Sequence, residues 1–556
     1  MKRYLLSIFA ISILVFSTCQ RPQTQSSANS EVETKETIEV PLPPIELVNI
    51  TDTVMDEFIQ QNKKYTPFIK ASKEFYRKRN NEYAWFTKEG ISPRMDMLVN
   101  LINGSEFPEK ISSDSLHNVY YKIREDSSIR RAQVGLLNME MSLTYTFFNF
   151  ADKEWSGNDE KLVRKLEWYI PKKKLKYADV LDSLLKKDDT SFHAPVYNQY
   201  EKLRTFLHKY REIEEKGGWP YIQIVKKGFK IGDTSQIVRL IKKRLYISGD
   251  LAAFDSVAFF DKTLESAVKI FQKRYGMIED GIVGPQVIRE MNVPIHKRVE
   301  QIIINMERCR WVPTTELNGE YFMVNIPEFK LYAYDKSNLA WTMNVVVGKA
   351  TNKTVIFNGN LKYVVFNPYW SVPHHLFSKE ILPHLRKSPS WLKSHDMEVI
   401  KNGDSQHPID PYAVNWKVNS NNLKSYTVRQ KPGKTNALGN VKFLFPNEYN
   451  IYLHDTPEKD LFALPTRSFS HGCIRLAEPT KMAQYLLRKE QGWNAKTISE
   501  AMATGKEQYY SLKKSVPVFI AYFTAWVDND GRINFRGDLY GHDAKMAKVI
   551  IEKPRI

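Results

Sequence analysis

The chain has 556 residues, 42% hydrophobic and 26% charged, a length that exceeds one compact core and a composition that excludes a disordered chain. Its formal net charge of +18 at pH 7 would attract an acidic polymer or an anionic surface, yet its basic residues are scattered and the one dense block, Pro171-Lys172-Lys173-Lys174-Leu175-Lys176, reads as solvated surface. Three cysteines, Cys19, Cys309 and Cys473, exclude a disulfide framework.

At the amino terminus Lys2 and Arg3 precede an apolar run from Tyr4 to Phe16 that ends at Phe16-Ser17-Thr18-Cys19. The run is too short to span a bilayer comfortably, so an export signal is expected over 1–19. A cysteine just after small residues resembles a bacterial lipoprotein signal, with Cys19 as the acylated first residue. Phe16 and Thr18 depart from the usual residues of that motif, and plain cleavage or an uncleaved anchor are the alternatives. Residues 20–50, rich in Ser, Thr, Gln, Glu and Pro, suit a flexible tether. A body held by lipid at the periplasmic face of a bacterial membrane follows. The inner or outer membrane is left open.

Residues 51–227 carry mostly helical periodicity, as in Val134-Gly135-Leu136-Leu137-Asn138-Met139-Glu140-Met141, and predict a helical scaffold. In 228–295, Ile237, Leu240, Ile241 and Leu245 line one helical face, and Leu264, Ala267, Val268 and Phe271 another. The turn Asp280-Gly281-Ile282-Val283-Gly284-Pro285 then opens a third helix to Met291. The Phe271-Gln272 pair and this turn resemble the peptidoglycan-binding domain of cell-wall enzymes. A structural helical module without ligand is the other reading.

Residues 296–500 change to strand periodicity in Tyr321–Ile326, Lys330–Tyr334, Met343–Val347, Lys362–Phe366 and Tyr449–Leu453. An insertion of helix and loop over about 377–430 reads as a lid over a site, or as passive surface elaboration. Residues 501–556 are expected to pack on the scaffold or on the β-rich domain. The fold class is α+β multidomain.

Chemistry concentrates in Ser470-His471-Gly472-Cys473-Ile474-Arg475 and Tyr452-Leu453-His454-Asp455-Thr456-Pro457. A catalytic thiol needs a base or an electropositive neighbour. His454 ends a strand and Cys473 follows 473 − 454 = 19 residues later, which lets the chain return beside that strand with imidazole near sulfur. His471 shares the face of Cys473 in an extended segment and competes for its space, so His454 is assigned as base and His471 as support. The Gly472 and Cys473 amides are natural oxyanion donors, and Arg475 can orient a carboxylate or amide or stabilise the thiolate. Two alternatives stand beside this reading: a zinc site made by His454, His471 and Cys473, and simple packing. Cys309 reads as a small buried hydrophobe, with a Cys309–Cys473 pairing open.

The Ser470–Arg475 hexapeptide resembles the signature of the L,D-transpeptidases, whose catalytic domain is YkuD-like. Val364–Trp370, Asn436–Phe443, Leu453–Pro457 and Thr524–Asp528 are similar to those of the large YcbB-type members, which also carry a scaffold, a peptidoglycan-binding domain and a lid. The resemblance implies Cys473 as nucleophile, His454 as general base and acid, the Asp455 backbone carbonyl as its orienter and Gly472 as backbone oxyanion donor. His471, Arg475, Ser470, Tyr452, Asn436 and Trp370 are implied as substrate-binding residues. The implied reaction cleaves the terminal D-alanine from a tetrapeptide stem through a cysteine thioester and passes the acyl group to a neighbouring stem amine, giving 3→3 cross-links. An L,D-carboxypeptidase with the same acyl-enzyme and a non-catalytic wall-binding protein are the alternatives. The implied partners are peptidoglycan stem peptides and a membrane, with no nucleic acid, nucleotide, metal or cofactor. The lipoprotein-like start departs from the simple anchor of those large members.

Overall fold

The computed structural model describes residues 46–551 except 106–109, 173, 187–191 and 337. The signal and acylation site at Cys19 lie outside the described residues, as does all but the end of the tether. Among the described residues no helix is long and apolar enough to cross a membrane.

The amino-terminal half is helical as expected. Its longest helix, Ile129–Ala151, starts where the Ser128 side chain accepts the Arg131 N–H, satisfying an orphan donor of the first turn. It buries Leu136, Met139, Leu143, Phe147 and Phe150, while Val134 points to solvent. Glu140 on this helix is fully buried, and its carboxylate accepts the Ala84 and Trp85 N–H groups at 2.7 and 3.0 Å and the Tyr76 hydroxyl at 2.9 Å. Burial pushes that carboxyl up to about 7 against these bonds.

Helices Gln236–Ser248, Lys262–Arg274 and Pro285–Met291 form the small module. Leu264, Ala267, Val268 and Phe271 are all buried. Ile237 and Leu240 sit only at the rim, and Val238 takes their place in the core beside Ile241 and Leu245. Gln272 explains the turn that follows. Its amide donates to Asp280 Oδ1 at 2.6 Å and to the Ile282 carbonyl at 3.0 Å, and accepts the Gly281 N–H at 2.8 Å. Gly281 takes φ +74, a left-handed conformation that a Cβ disfavours.

The β-rich domain is built on β1 (Tyr321–Asn325), β2 (Lys330–Asp335), β3 (Asn338–Gly348) and β4 (Phe357–Phe366). A lid follows with β5 (Trp370–Ser371), β6 (Met397–Lys401), β7 (Asp404–Ile409) and β8 (Tyr426–Gln430). The chain then returns in β9 (Val441–Leu444), β10 (Leu453–His454), β11 (Ser468–Ser470), β12 (Ile474–Leu476) and β13 (Gln508–Ala521), and ends in the hairpin β14 (Ala525–Val527) and β15 (Ile533–Phe535). A nine-stranded sheet runs β11-β3-β12-β10-β9-β4-β13-β1-β2, and β2 pairs back onto β3. Leu453, Ile474, Val364, Phe443 and Val518 are completely buried in its core.

Three expectations are corrected. The domain does not end at 500, because β13 lies between β4 and β1; its pairing partners are more than a hundred residues away, which a local pattern cannot reveal. The lid begins at β5 rather than 377 and contains a four-stranded sheet, β5-β8-β6-β7. It has its own core of Leu376, Phe377, Leu382, Leu392, Val399, Trp416 and Val428, while the exposed β7 has no apolar alternation to betray it. Finally, Tyr449–Tyr452 is a turn, not a strand: Asn447 Oδ1 accepts the Tyr449 and Ile451 N–H groups at 3.0 and 3.2 Å and Asn450 has φ 53.

Candidate active site

The 19-residue return places β12 parallel to β10, with Leu453 opposite Ile474 and His454 opposite Arg475. Leu453 and Ile474 turn into the core; by the period of two, Tyr452 and His454 share the other face with Cys473 and Arg475. All four line one cavity of about 270 Å³, to whose wall Trp370, Pro373, His375 and Leu376 of the insertion also contribute. The geometry favours a lid over a passive elaboration.

His454 is 4% exposed. Its Nδ1 lies 2.5 Å from the Asp455 carbonyl oxygen. A carbonyl only accepts, so Nδ1 carries the proton and Nε2 keeps its lone pair. The Asp455 backbone is fixed in turn, since its carboxylate accepts Asn440 N–H at 2.9 Å, Thr456 N–H at 2.7 Å and Lys459 Nζ at 2.6 Å. Gly439 permits this approach: with φ +58, a Cβ there would meet the Asp455 carboxyl carbon at 2.3 Å. Burial, followed by the Arg475 charge, lowers the imidazole to about 3.

The Cys473 thiol is half-buried and free, and donates toward the Asn450 carbonyl at 3.7 Å. Burial pushes it up to about 11, opposed by hydrogen bonds from Tyr452 and by the Arg475 charge. The resting pair is therefore neutral thiol and neutral imidazole.

Arg475 lines the cavity, with its guanidinium donating to Glu458 at 2.6 Å. Tyr452 touches the sulfur and meets the His454 ring at 5.7 Å between centroids. Trp370 lines the cavity from the lid. Of the other residues expected to contact substrate, Ser470 and His471 also line the cavity and Asn436 does not. Ser470 is 2% exposed and donates its hydroxyl to the Cys473 carbonyl at 2.5 Å. Asn436 is fully buried, donates to the Pro368 and Lys431 carbonyls at 3.0 and 2.9 Å, and so ties the segment that enters the lid to the segment that leaves it. His471 Nε2 reaches Glu380 of the lid at 3.2 Å. Gly472, at φ +117, breaks the extended path that would have put His471 on the face of Cys473.

The Gly472 N–H is also unsuited to the oxyanion role, because it donates to Ser470 Oγ at 3.2 Å. The Cys473 N–H makes no hydrogen bond among the described residues and is the amide left for that task. The zinc alternative finds no support: among the described residues no three His, Cys, Asp or Glu side chains converge to hold a metal ion. Cys309 is a free thiol with no exposure, and burial pushes it up. Asn450, Lys459 and Glu380 were missed by sequence reasoning. Only Asn450, inside Asn447-Glu448-Tyr449-Asn450, had a turn signal. A larger cavity of about 670 Å³ lies between the small module, β1–β3 and the β14–β15 hairpin and contains neither thiol nor active imidazole.

A pocket on a mixed sheet, with thiol and imidazole on one face and a lid above, is the site of an enzyme domain. Residues 319–518 match the L,D-transpeptidase catalytic domain. Residues 70–207 match the family described as "Scaffold domain", and 234–291 the "Putative peptidoglycan binding domain". A relative in Haemophilus influenzae named "Putative L,D-transpeptidase" is 33% identical over 259 residues, which are 46% of this chain and 51% of that protein. The chain thus spans about half the length of that relative. Among solved structures, an L,D-transpeptidase from Stackebrandtia nassauensis is 13% identical, covering 54% of this chain and 97% of the other with a TM-score of 0.20. One from Xylanimonas cellulosilytica is 13% identical, covering 54% and 100% with a TM-score of 0.18. Scores so low add nothing to the geometry.

Proposed function

We propose that the chain is a cysteine-dependent L,D-transpeptidase acting on peptidoglycan stems. One observation carries this: a half-buried thiol and an imidazole, its tautomer fixed by the Asp455 carbonyl, line the same lidded cavity. As Cys473 sulfur bonds to the carbonyl carbon of the stem's L-centre, its proton passes to His454 Nε2. The oxyanion forms against the Cys473 N–H. Collapse breaks the amide bond, His454 returns the proton to the departing amine, and D-alanine leaves. The thioester retains acyl reactivity, so attack by a second stem's side-chain amine needs no nucleotide; that amine gives its proton to His454 and the thiol is regenerated. The lid, by excluding water, favours amine over hydrolysis. The basic surface suits a polymer bearing carboxylates, and the small helical module would hold the same polymer.

The amino-terminal reading belongs to this proposal: export, acylation at Cys19 and action at the periplasmic face of a membrane. Incubation of the purified protein with disaccharide tetrapeptides is expected to give D-alanine and a cross-linked dimer, with both lost in Cys473→Ala and His454→Gln. Tripeptide without dimer would refute transfer in favour of the carboxypeptidase. Turnover by Cys473→Ala would refute the thiol mechanism.

A further inference from the structure

The loop that presents the thiol is held from behind. The Gly472 carbonyl accepts the Thr354 hydroxyl at 2.8 Å, and that hydroxyl oxygen accepts the Gly348 N–H at 2.9 Å. The Tyr540 hydroxyl donates to the Gly348 carbonyl at 2.6 Å and accepts the Thr354 N–H at 3.2 Å. Thr354 is 1% exposed and Tyr540 5%, so these bonds face little competition from water. A threonine hydroxyl has one proton to give. Here it goes to Gly472.

Neither end of this chain of bonds is free to drift. The Tyr540 N–H donates to the Tyr522 hydroxyl at 2.8 Å, which donates to Asp538 at 2.8 Å. The turn from Gly348 to Thr354 closes so tightly that a Cβ on Gly348 would lie 2.1 Å from the Asn352 carbonyl oxygen. The scaffold grips the same turn, with the Tyr169 N–H donating to the Ile356 carbonyl at 2.9 Å and Glu167 pairing with Lys353 at 3.3 Å. Glu167 does so from a left-handed φ of 63, a conformation that costs a non-glycine residue energy and persists only where surroundings hold it. Tyr540 and Glu167 both lie outside residues 319–518, the matched catalytic domain.

The peptide unit between Gly472 and Cys473 is planar and trans, so its carbonyl and N–H point in opposite directions. Fixing the Gly472 oxygen therefore fixes the direction of the Cys473 N–H. Ser470 Oγ ties the peptide units on either side, accepting the Gly472 N–H at 3.2 Å and donating to the Cys473 carbonyl at 2.5 Å, and the Thr354 hydroxyl holds the unit between them, where Gly472 at φ +117 has no Cβ to restrain it. We propose that Thr354, clamped by Tyr540 of the carboxy-terminal segment, is a positioning residue that aims the Cys473 N–H at the developing oxyanion. This rests on the acyl-transfer reading for its catalytic meaning, but the aim of the peptide does not.

Two measurements on full-length Thr354→Val, Thr354→Ser and Tyr540→Phe test it. Thr354→Val is expected to slow acyl-enzyme formation from a tetrapeptide stem by about 10- to 100-fold, below the ~10²- to 10³-fold of a deleted donor, with KM within about twofold. Alkylation of Cys473 by iodoacetamide, which builds no oxyanion, stays within about twofold; Thr354→Ser recovers the acylation rate, and Tyr540→Phe shows an intermediate loss. Amide exchange in the 471–475 segment, read by mass spectrometry, rises in Thr354→Val while exchange in β4 is unchanged. Wild-type acylation in Thr354→Val overturns the proposal, as does an equal fall in acylation, alkylation and thermal midpoint that Thr354→Ser fails to restore. Should the unaltered protein form no acyl-enzyme, the acyl-transfer reading fails by itself; unchanged 471–475 exchange in Thr354→Val then overturns the positioning, and raised exchange supports it.

Discussion

Alkylation of Cys473 by iodoacetamide, followed between about pH 5 and pH 10, reports how much thiolate the resting pocket holds. With the thiol pushed up to about 11 by burial, thiolate is only about one part in 10⁴ at pH 7, and the rate should climb about tenfold per pH unit through the whole range. An imidazolium–thiolate pair would behave differently. It would plateau between the two pKa values, and His454→Ala would abolish that plateau. The imidazole, lowered to about 3 by burial and the Arg475 charge, excludes such a pair at neutral pH, so His454→Ala should leave the alkylation profile nearly unchanged while eliminating transfer to the stem amine. Tyr452→Phe removes a hydroxyl at the sulfur that lowers the thiol, and is expected to move the climb to higher pH. Cys309 is fully buried and should not contribute; Cys473→Ala supplies the baseline. A plateau below pH 8 in the unaltered protein, sensitive to His454→Ala, would refute the neutral-pair reasoning.

Acid should weaken the fold through its histidines. His454 and His542 are lowered to about 3 and about 4 by burial, aided by Arg475 and Arg308 respectively, against about 6.5 in an unfolded chain. Below about pH 6.5 the unfolded chain therefore binds protons that the native state refuses, and stability falls as pH drops toward the folded values. The thermal midpoint should decline less steeply between pH 7 and pH 4 in the His454→Gln, His542→Gln double variant, and parallel declines would refute the assignment. Gln272→Ala, which strips three hydrogen bonds from the Asp280–Ile282 turn, should cost about 1–3 kcal/mol in chemical denaturation; a loss within the error of the wild-type value would show the turn to be self-supporting. Gly439→Ala puts a Cβ into the Asp455 carboxylate at a left-handed φ and should reduce transfer at least about tenfold through misorientation of His454, with alkylation of Cys473 preserved; unimpaired transfer would show that His454 needs no such support.

The strand β4 beside the site was legible because its β-branched and aromatic residues, Val364, Val365 and Phe366, cluster within a few positions, whereas the four-residue β9 was not read as a strand. The return of Cys473 beside His454 was also legible, as strand, loop and strand in nineteen residues leave few other paths. The lid's sheet was not, because β7 is exposed along nearly its whole length and β8 pairs across the insertion with β6 and β5. Gly472 looked like an oxyanion donor because glycine permits the turn, but whether its N–H is available depends on Ser470 Oγ, a contact set by side-chain rotation and not by residue type.

Residue identity alone settled the chemical inventory: a single thiol in a glycine-bearing turn, an imaginable base nineteen positions earlier, a helical scaffold and a small helical module. Those follow from short-range periodicity and from what each side chain can donate, accept or ionise. The protonation state of the pair, the turning of His471 to the lid and of Asn436 to its hinge, and the hold of Thr354 and Tyr540 on the nucleophile loop were decided by the tertiary fold. Burial and hydrogen bonding between segments as distant as Thr354 and Tyr540 act through space, and no local pattern encodes which groups will meet there.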